Sequence, residues 1–517
     1  MSPSPLVERF LEQVEARGIQ EAVVQADRST TYRDLHRRML ECAGLLRSRG
    51  VRPGDRVLLY VPPSADLYAL LLAVWRLGAV AVFVDAWTSR ASLGRVVDLA
   101  RPRLFVGIPK AHLVRLLNPS SLRVPSLLWW AHRGGKPDTR PPADVDSRQT
   151  ALVTFTTGST GAPKGANRSH DFLLAQHQAL SRALGTMPGS RSLATLPIFA
   201  LHDLASGATC QLASLDPARP DAIDPSRFFS ELRECDTAVG SPAVFLSAAR
   251  QLGAPDPSVR AHIHIGGAAI FPETLRELSE AFPAARWTAT YGSTEAEPIS
   301  TLDGRILAVS HPSPEEGISA GTIDPSLQLK ILSASDAPLA AASDSDLSAL
   351  EVPPGEVGEI VVAGRHVLEG YWNDPAATER HKIRTAERTW HRTGDAGRIA
   401  PDGTLHLLGR LAERFQWEGR TYHPFAIQQA LLRIDGVLAG CALEHGGRIL
   451  VVVEPAKGAD TGAIRRKIPA TKFGFPFEVH FLRIPRDPRH RSKLDTRALR
   501  RKLDRKFPCR QEAVQVS

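Results

Sequence analysis

The sequence predicts an α/β protein in two parts, a large N-terminal domain built on mostly parallel sheets and a small α+β domain at the C-terminal end. Three observations carry this. Short apolar, β-branched runs alternate with helix-periodic segments as far as Gly409, the pattern of strands joined by crossover helices. The 517 residues exceed what one hydrophobic core ordinarily serves. After Gly409-Arg410 the pattern becomes a compact unit ending at Phe507, so the division is expected at 1–409 and 410–517.

Taken in order, residues 5–50 read as helical, with Val7, Phe10, Leu11 and Val14 on one face. Val57–Val61 reads as a buried strand, Leu67–Leu77 as a helix, and Ala79–Val84 and Leu104–Gly107 as further buried strands. Residues 117–148, rich in Pro, Arg and Asp, read as a connection. Residues 333–355 are weakly hydrophobic and read as a surface loop between strands Gln328–Leu332 and Glu359–Ala363. A helix is expected at Thr496–Phe507.

Composition narrows the class. With 43% hydrophobic and 23% charged residues the chain is of the soluble globular type. The longest apolar stretch, Leu67–Ala86, is interrupted by Arg76 and Gly78, so it suits a buried helix and strand rather than a membrane span. Met1-Ser2-Pro3-Ser4-Pro5 opens no secretory signal, and five scattered cysteines form neither a metal spacing nor a disulfide framework, so a cytoplasmic setting is expected. The net charge of +9 is uneven: Arg483–Lys506 holds eleven Lys/Arg against three Asp. No aromatic residue is interleaved there, which argues against nucleic acid. A solvated, partly nucleotide-facing surface is expected, with at most an acidic partner or peripheral membrane contact beyond that.

One stretch organises the rest. The apolar run Ala151–Phe155 leads into Thr156, Thr157, Gly158, Ser159, Thr160 and Gly161, followed by Lys164. Glycines let backbone amides approach a ligand, hydroxyls add donors, and a lysine adds charge, so this is a candidate polyphosphate cradle. It is not the common P-loop, because no Gly-Lys-Ser/Thr follows at the required spacing. Alone it is equally a surface turn. The stretch resembles the phosphate loop of the adenylate-forming superfamily: acyl-CoA synthetases, luciferases and the adenylation domains of peptide synthetases. Tyr291-Gly292-Ser293-Thr294-Glu295, Thr393-Gly394-Asp395, Gly409-Arg410 and Gly370-Tyr371-Trp372 with Thr378 resemble further motifs, in the family's order.

The resemblance implies ATP and Mg²⁺ as cofactors and a small-molecule carboxylic acid as substrate. It implies that the loop holds the outer phosphates, that Glu295 holds Mg²⁺, that Thr294 donates to the α-phosphate and that Asp395 accepts the ribose hydroxyls. Arg410 is then a ribose or phosphate contact, and the strand-turn His262–Ala269 brings Gly267 and Ala268 to the adenine and acyl sites. Lys493, where the family usually has a Gly-Lys, is the catalytic lysine that swings in with a mobile C-terminal domain. His202, in a segment near the family's acyl pocket, is a candidate for orienting the carboxylate, although a lone histidine is as readily structural.

Some positions depart from the family. Ala412 stands where the hinge is usually acidic, and Ala426 and Gln428 stand where glutamates are usual, which puts CoA thioester formation in doubt. Asp487–Lys493, Tyr291–Pro298 and Ala200–Asp203 are similar to the β-lactone synthetases of bacterial olefin biosynthesis (the OleC group), in which a β-hydroxy acid is adenylated and its own hydroxyl attacks the acyl adenylate. Protein partners in a lipid or hydrocarbon pathway would follow. The alternatives are an AMP-forming fatty-acyl-CoA ligase and an inactive scaffold, against which Glu295, Asp395 and Lys493 all speak.

Overall fold

The computed structural model describes residues 3–84, 90–129, 135–157, 163–215, 223–313, 315–471, 473–487 and 492–506. Among these, the larger part of the chain is built on a six-stranded and a fourteen-stranded sheet.

The six-stranded sheet runs in the order Ser126–Leu128, Leu104–Gly107, Arg56–Tyr60, Val80–Phe83, Thr150–Thr157, Pro163–Ser169. Its strands are parallel until the last, which turns back beside Thr150–Thr157. Alternate residues serve the two faces: Leu58, Val82, Phe105 and Val153 pack in one cluster, Val57, Leu59, Ala81 and Val106 in another. Both faces are covered, so the runs are apolar throughout. Helix Ala65–Arg76 is buried from Leu67 to Arg76 and belongs to the second cluster. The apolar stretch read as helix then strand is therefore an internal helix followed by Val80–Phe83.

The fourteen-stranded sheet has a parallel core, Glu21–Gln25, Thr209–Leu212, Arg191–Ala194, Thr237–Gly240, His262–Ile265 and Arg286–Ser293. Beyond Arg286–Ser293 it continues antiparallel through Ala296–Asp303, Ile318–Ile323, Leu405–Arg410, Thr389–Ile399, Gly358–Ala363 and Gln328–Leu332. Of this antiparallel flank only Gln328–Leu332 and Glu359–Ala363 were legible as strands, and the strands that were not carry Asp395 and Arg410.

Three local readings need correction. Residues 5–50 are not continuously helical: helices Pro5–Arg17 and Tyr32–Ser48 flank a hairpin, Glu21–Gln25 and Arg28–Thr31. The β-branched Val23 and Val24 extend the parallel core there, beside Cys210 and Gln211. Residues 117–148 include a short helix, Pro119–Leu122, and strand Ser126–Leu128. Residues 333–355 include helix Asp344–Ser348, whose Leu347 is buried. Helix Thr496–Lys506 forms as expected, Phe507 lying outside the described residues.

After Arg410 a separate core assembles. Strands Val437–His445, Arg448–Pro455 and Glu478–Phe481 form a three-stranded sheet. Ile427 and Leu431 of helix Pro424–Leu432 pack with Ile464 on Val451 and Val453; Leu499 and Leu503 of the last helix pack with Cys441, Leu443 and Val452. The join is tight. Gly409 has φ +114°, and a Cβ there would lie 2.4 Å from Pro424 Cγ, so only glycine fits. Among the described residues no helix is long and apolar enough to cross a membrane.

A buried ion pair braces the flank. Arg392 donates to Glu359 Oε2 from Nε (2.9 Å) and Nη2 (2.6 Å), and Gly394 N donates to Glu359 Oε1 at 3.2 Å. Arg392 Nη1 also donates to the Ala337 carbonyl at 2.7 Å, fastening the 333–355 segment. Removing one partner of such a pair strands a charge. Arg392→Leu is expected to lower unfolding stability by about 3–5 kcal/mol, and Arg392→Leu with Glu359→Leu to recover much of the loss, both read from urea denaturation.

Candidate active site

The sheet's topology brings two distant motifs side by side. Tyr291 lies near the end of strand Arg286–Ser293, Asp395 lies within Thr389–Ile399, and Arg410 is its direct cross-strand partner. Tyr291 Oη donates to Asp395 Oδ2 at 2.8 Å, and Arg410 Nε lies 3.1 Å from Asp395 Oδ1. Arg410 Nη1 donates to the Thr393 carbonyl at 2.8 Å, so the guanidinium is fixed as well. Burial and the Asp395 charge push the Tyr291 hydroxyl well above its ordinary pKa, which keeps it a donor. Asp395 likewise raises the Arg410 pKa.

These residues, with Gly267, Ala268 and Gly292, line a cleft of about 1040 Å³ closed on its other side by the C-terminal segment. Gly267 turns the chain with φ +80°, a conformation side chains resist. Lys493 enters from across the cleft. It is carried by an antiparallel pairing: Asp487 N donates to the Lys493 carbonyl at 2.9 Å, Lys493 N donates to Asp487 Oδ1 at 3.0 Å, and Arg486 bridges Leu494. Its side chain keeps open surface, yet protein surrounds it. That enclosure lowers its pKa, Arg410 adds to the effect, and Asp395, Asp487 and Glu295 oppose it. The basic run Arg483–Lys506 thus faces the cleft in part, through Arg483, Arg486, Lys493 and Lys502.

Glu295 occupies a second charged pocket. Tyr371 Oη donates to Glu295 Oε1 at 2.8 Å. Burial disfavours its ionised form, but His391, Lys382 and the Tyr371 hydrogen bond outweigh that and hold its pKa down to about 2. Lys164 stands nearby, its Nζ 2.7 Å from His381 Nε2 and 5.4 Å from the centre of the Tyr371 ring. Burial lowers the Lys164 pKa, opposed by Glu295 and Asp374. Strand pairing puts Thr156 opposite Lys164, while Gly158, Ser159, Thr160 and Gly161 and the side chains of Thr156 and Thr157 lie outside the described residues.

A cavity of about 120 Å³ opens from the same point. Its lining includes Gly267, Gly292, Ser293, Thr294 and Lys493, and inward from them Leu71, Leu180, Leu184, Leu201 and Val239. Ser293 Oγ accepts from Glu295 N at 3.2 Å. Arg168, which the sequence reading missed, braces this wall by donating to the Thr294 carbonyl at 3.1 Å. Its place in an alternating strand beside the phosphate loop was the available signal. Lys382, also missed, is one of several basic residues in the run Arg380–Arg384 and meets Glu295 only through the fold.

His202 is a correction. It lies on helix Pro197–Ser206, buried and absent from the cavity wall. Its Nδ1 is 3.0 Å from His177 Nδ1 and its Nε2 is 3.1 Å from Thr186 Oγ1. Both ring nitrogens are spent on neighbours, so it cannot orient a carboxylate in the cavity. The imidazole that does line the cavity is His264.

Residues 10–372 match the AMP-binding enzyme family. An olefin beta-lactone synthetase of Stenotrophomonas maltophilia is 31% identical over 512 residues, covering 92% of each chain. A second, of Xanthomonas campestris, is 32% identical over 413 residues, covering 75% of this chain and 73% of that one. ATP-bound MatB from Rhodopseudomonas palustris superposes with a TM-score of 0.82 at 21% identity, over 97% of this chain and 99% of that one.

The chain belongs to the AMP-binding enzyme family.

It is an adenylate-forming, AMP-forming ligase that uses ATP to activate a small-molecule carboxylic acid. Within an AMP-binding enzyme the two lobes of the site acquire meaning: the Asp395–Arg410–Tyr291 wall suits a ribose diol and the neighbouring apolar cavity suits an acyl group. Among the described residues no three His, Cys, Asp or Glu side chains cluster as a metal site. A single ionised carboxylate, Glu295, fits Mg²⁺, which takes few protein ligands and shares the rest with phosphates and water. Tyr291→Phe removes a hydrogen bond to an ionised acceptor. The KM for ATP is expected to rise on the order of tenfold, corresponding to about 1.5 kcal/mol, in ATP–pyrophosphate exchange.

Proposed function

We propose that this AMP-binding enzyme adenylates a β-hydroxy fatty acid and closes it to a β-lactone with release of AMP. The observation that carries the adenylation step is the position of Lys493, which lines the nucleotide cleft and the mouth of the acyl cavity together. In this reading the substrate carboxylate attacks the α-phosphorus and pyrophosphate leaves. Charge grows on the transferring phosphoryl group, and a preorganised ammonium between carboxylate and α-phosphate neutralises it. Thr294 donates to the same group. Asp395, oriented by Tyr291 and Arg410, accepts the ribose hydroxyls, while Gly267 and Ala268 allow the nucleotide a close approach. Thr156–Gly161 and Lys164 hold the outer phosphates, and Glu295 would hold Mg²⁺, which supplies charge neutralisation there.

Two domains, 1–409 and 410–517, go with this mechanism, the second moving to deliver Lys493. The closure step is supported by three residues and by the names of the relatives above. Ala412, Ala426 and Gln428 leave the hinge and the adjoining helix without the acids usual in thioester-forming members. In closure, the substrate's hydroxyl oxygen bonds to the acyl carbon, the bond from that carbon to the AMP oxygen breaks, and the hydroxyl proton is released. The intramolecular nucleophile needs no thiol site. A cytoplasmic setting and protein partners in a lipid or hydrocarbon pathway fit this reading. A second reading, an AMP-forming fatty-acyl-CoA ligase, draws on Glu413. This carboxyl lies one residue beyond Ala412, lines the cleft and accepts from Thr496 Oγ1 at 3.1 Å.

Supplied with a 3-hydroxy fatty acid, ATP and Mg²⁺ without CoA, the enzyme is expected to release AMP steadily and yield a product one water lighter than the acid. AMP release only with CoA, with a thioester product, would replace the first reading by the second. Lys493→Ala is expected to slow pyrophosphate exchange on the order of 10²–10³-fold with ATP binding largely kept. The lowered Lys493 pKa means that its ammonium is lost earlier as pH rises, so the alkaline limb of exchange should fall below the ordinary lysine range.

A further inference from the structure

His264 is buried to 1% exposure on strand His262–Ile265, and neither Nδ1 nor Nε2 has a hydrogen-bond partner. A buried polar group without a partner is costly and uncommon in a native structure. The neighbouring histidine differs. His262 Nε2 lies 2.8 Å from Thr288 Oγ1, while the two imidazoles stack with centroids 4.1 Å apart. Strand pairing sets His264 between Val239 and Thr288, on the face that meets the acyl cavity. Two residues beyond Thr288, on the same face, Thr290 also lines the cavity, and its buried Oγ1 likewise has no partner. The walls around them are aliphatic: Leu71, Leu180, Leu184 and Val239. A cavity with a largely aliphatic wall thus holds two polar groups without hydrogen-bond partners, and one of them, Thr290, also lines the adjoining cleft together with Gly267 and Lys493.

We propose that His264, with Thr290, reads an oxygen substituent near the carboxyl end of the acyl chain, and that this substituent is the hydroxyl of a hydroxy acid. The inference rests on the β-hydroxy-acid reading above and names the residues that enforce it. Burial, the adjoining His262 and Arg286 lower the His264 pKa to about 3, so the imidazole is neutral. A neutral imidazole offers one N–H donor and one lone pair, the complement of a hydroxyl, which both accepts and donates. The same low basicity makes His264 a specificity-determining and positioning residue rather than a proton acceptor. A plain acyl chain leaves both polar groups unpaired, and sites of that kind discriminate strongly against an analogue lacking the hydroxyl.

The test compares 3-hydroxydecanoic with decanoic acid in ATP–pyrophosphate exchange, which reads adenylation whether or not a lactone forms. The wild type is expected to favour the hydroxy acid. In His264→Phe the ratio of kcat/KM for hydroxy over plain acid should fall on the order of ten- to hundredfold. His264→Gln, which keeps a donor and an acceptor, should retain most of the preference, and Thr290→Val should lose part of it. An equal fall for both acids in His264→Phe, with Thr290→Val also leaving the ratio unchanged, would make His264 merely structural and overturn the inference. So would an unchanged ratio. Product analysis of the wild type with and without CoA separates the two proposals. Lactone with an unaltered ratio in His264→Phe sinks only this inference, whereas thioester formation with a collapsed ratio sinks only the lactone reading.

Discussion

The site depends on one charge delivered from outside it. Lys493 comes from the C-terminal unit and stands where the large cleft meets a largely aliphatic cavity. Its surroundings are balanced: enclosure and Arg410 work against the ammonium, and Asp395, Asp487 and Glu295 work for it. The hydrogen bonds that the Lys493 backbone makes with Asp487 limit how far the side chain can stray. The rest of the fold supplies the walls against which that charge acts.

Those walls are rigid for identifiable reasons. Asp395 is gripped from two strands, by Tyr291 and Arg410, and the backbone before it is gripped by Glu359 through Gly394 N. Glu359 is itself paired with buried Arg392. The network spends buried polar groups on position rather than on net stability, since a buried pair gains little over an apolar one. What it secures is an Asp395 carboxylate held in one geometry by its neighbours. Glu295 is treated alike, kept ionised by its surroundings and oriented by Tyr371.

The acyl side obeys the opposite rule. Its cavity abuts the internal helix Ala65–Arg76, which supplies Leu67 and Leu71 to its wall, so most of the lining is core-like. In such a place polar atoms are conspicuous. His202 lies close in sequence to the wall but pairs with His177 and Thr186, whereas His264 faces the cavity with both nitrogens unpaired. One histidine is satisfied structure; the other is available to a ligand.

By itself the sequence determined the α/β class and the buried strands around Val57 and Leu104, and its resemblance to a family singled out Tyr291, Glu295, Asp395, Arg410 and Lys493. These are local properties: periodicity, glycine placement and short motifs survive without knowledge of long-range contacts. Tertiary structure decided the rest. The antiparallel flank, the hairpin Glu21–Thr31 and the roles of Arg168, Lys382 and Glu359 depend on partners far away in the chain, which no local window contains. The exchange of His202 for His264 has the same cause. Both histidines lie in apolar runs, and only the pairing of strands and helices determines which ring finds a partner and which is left without one.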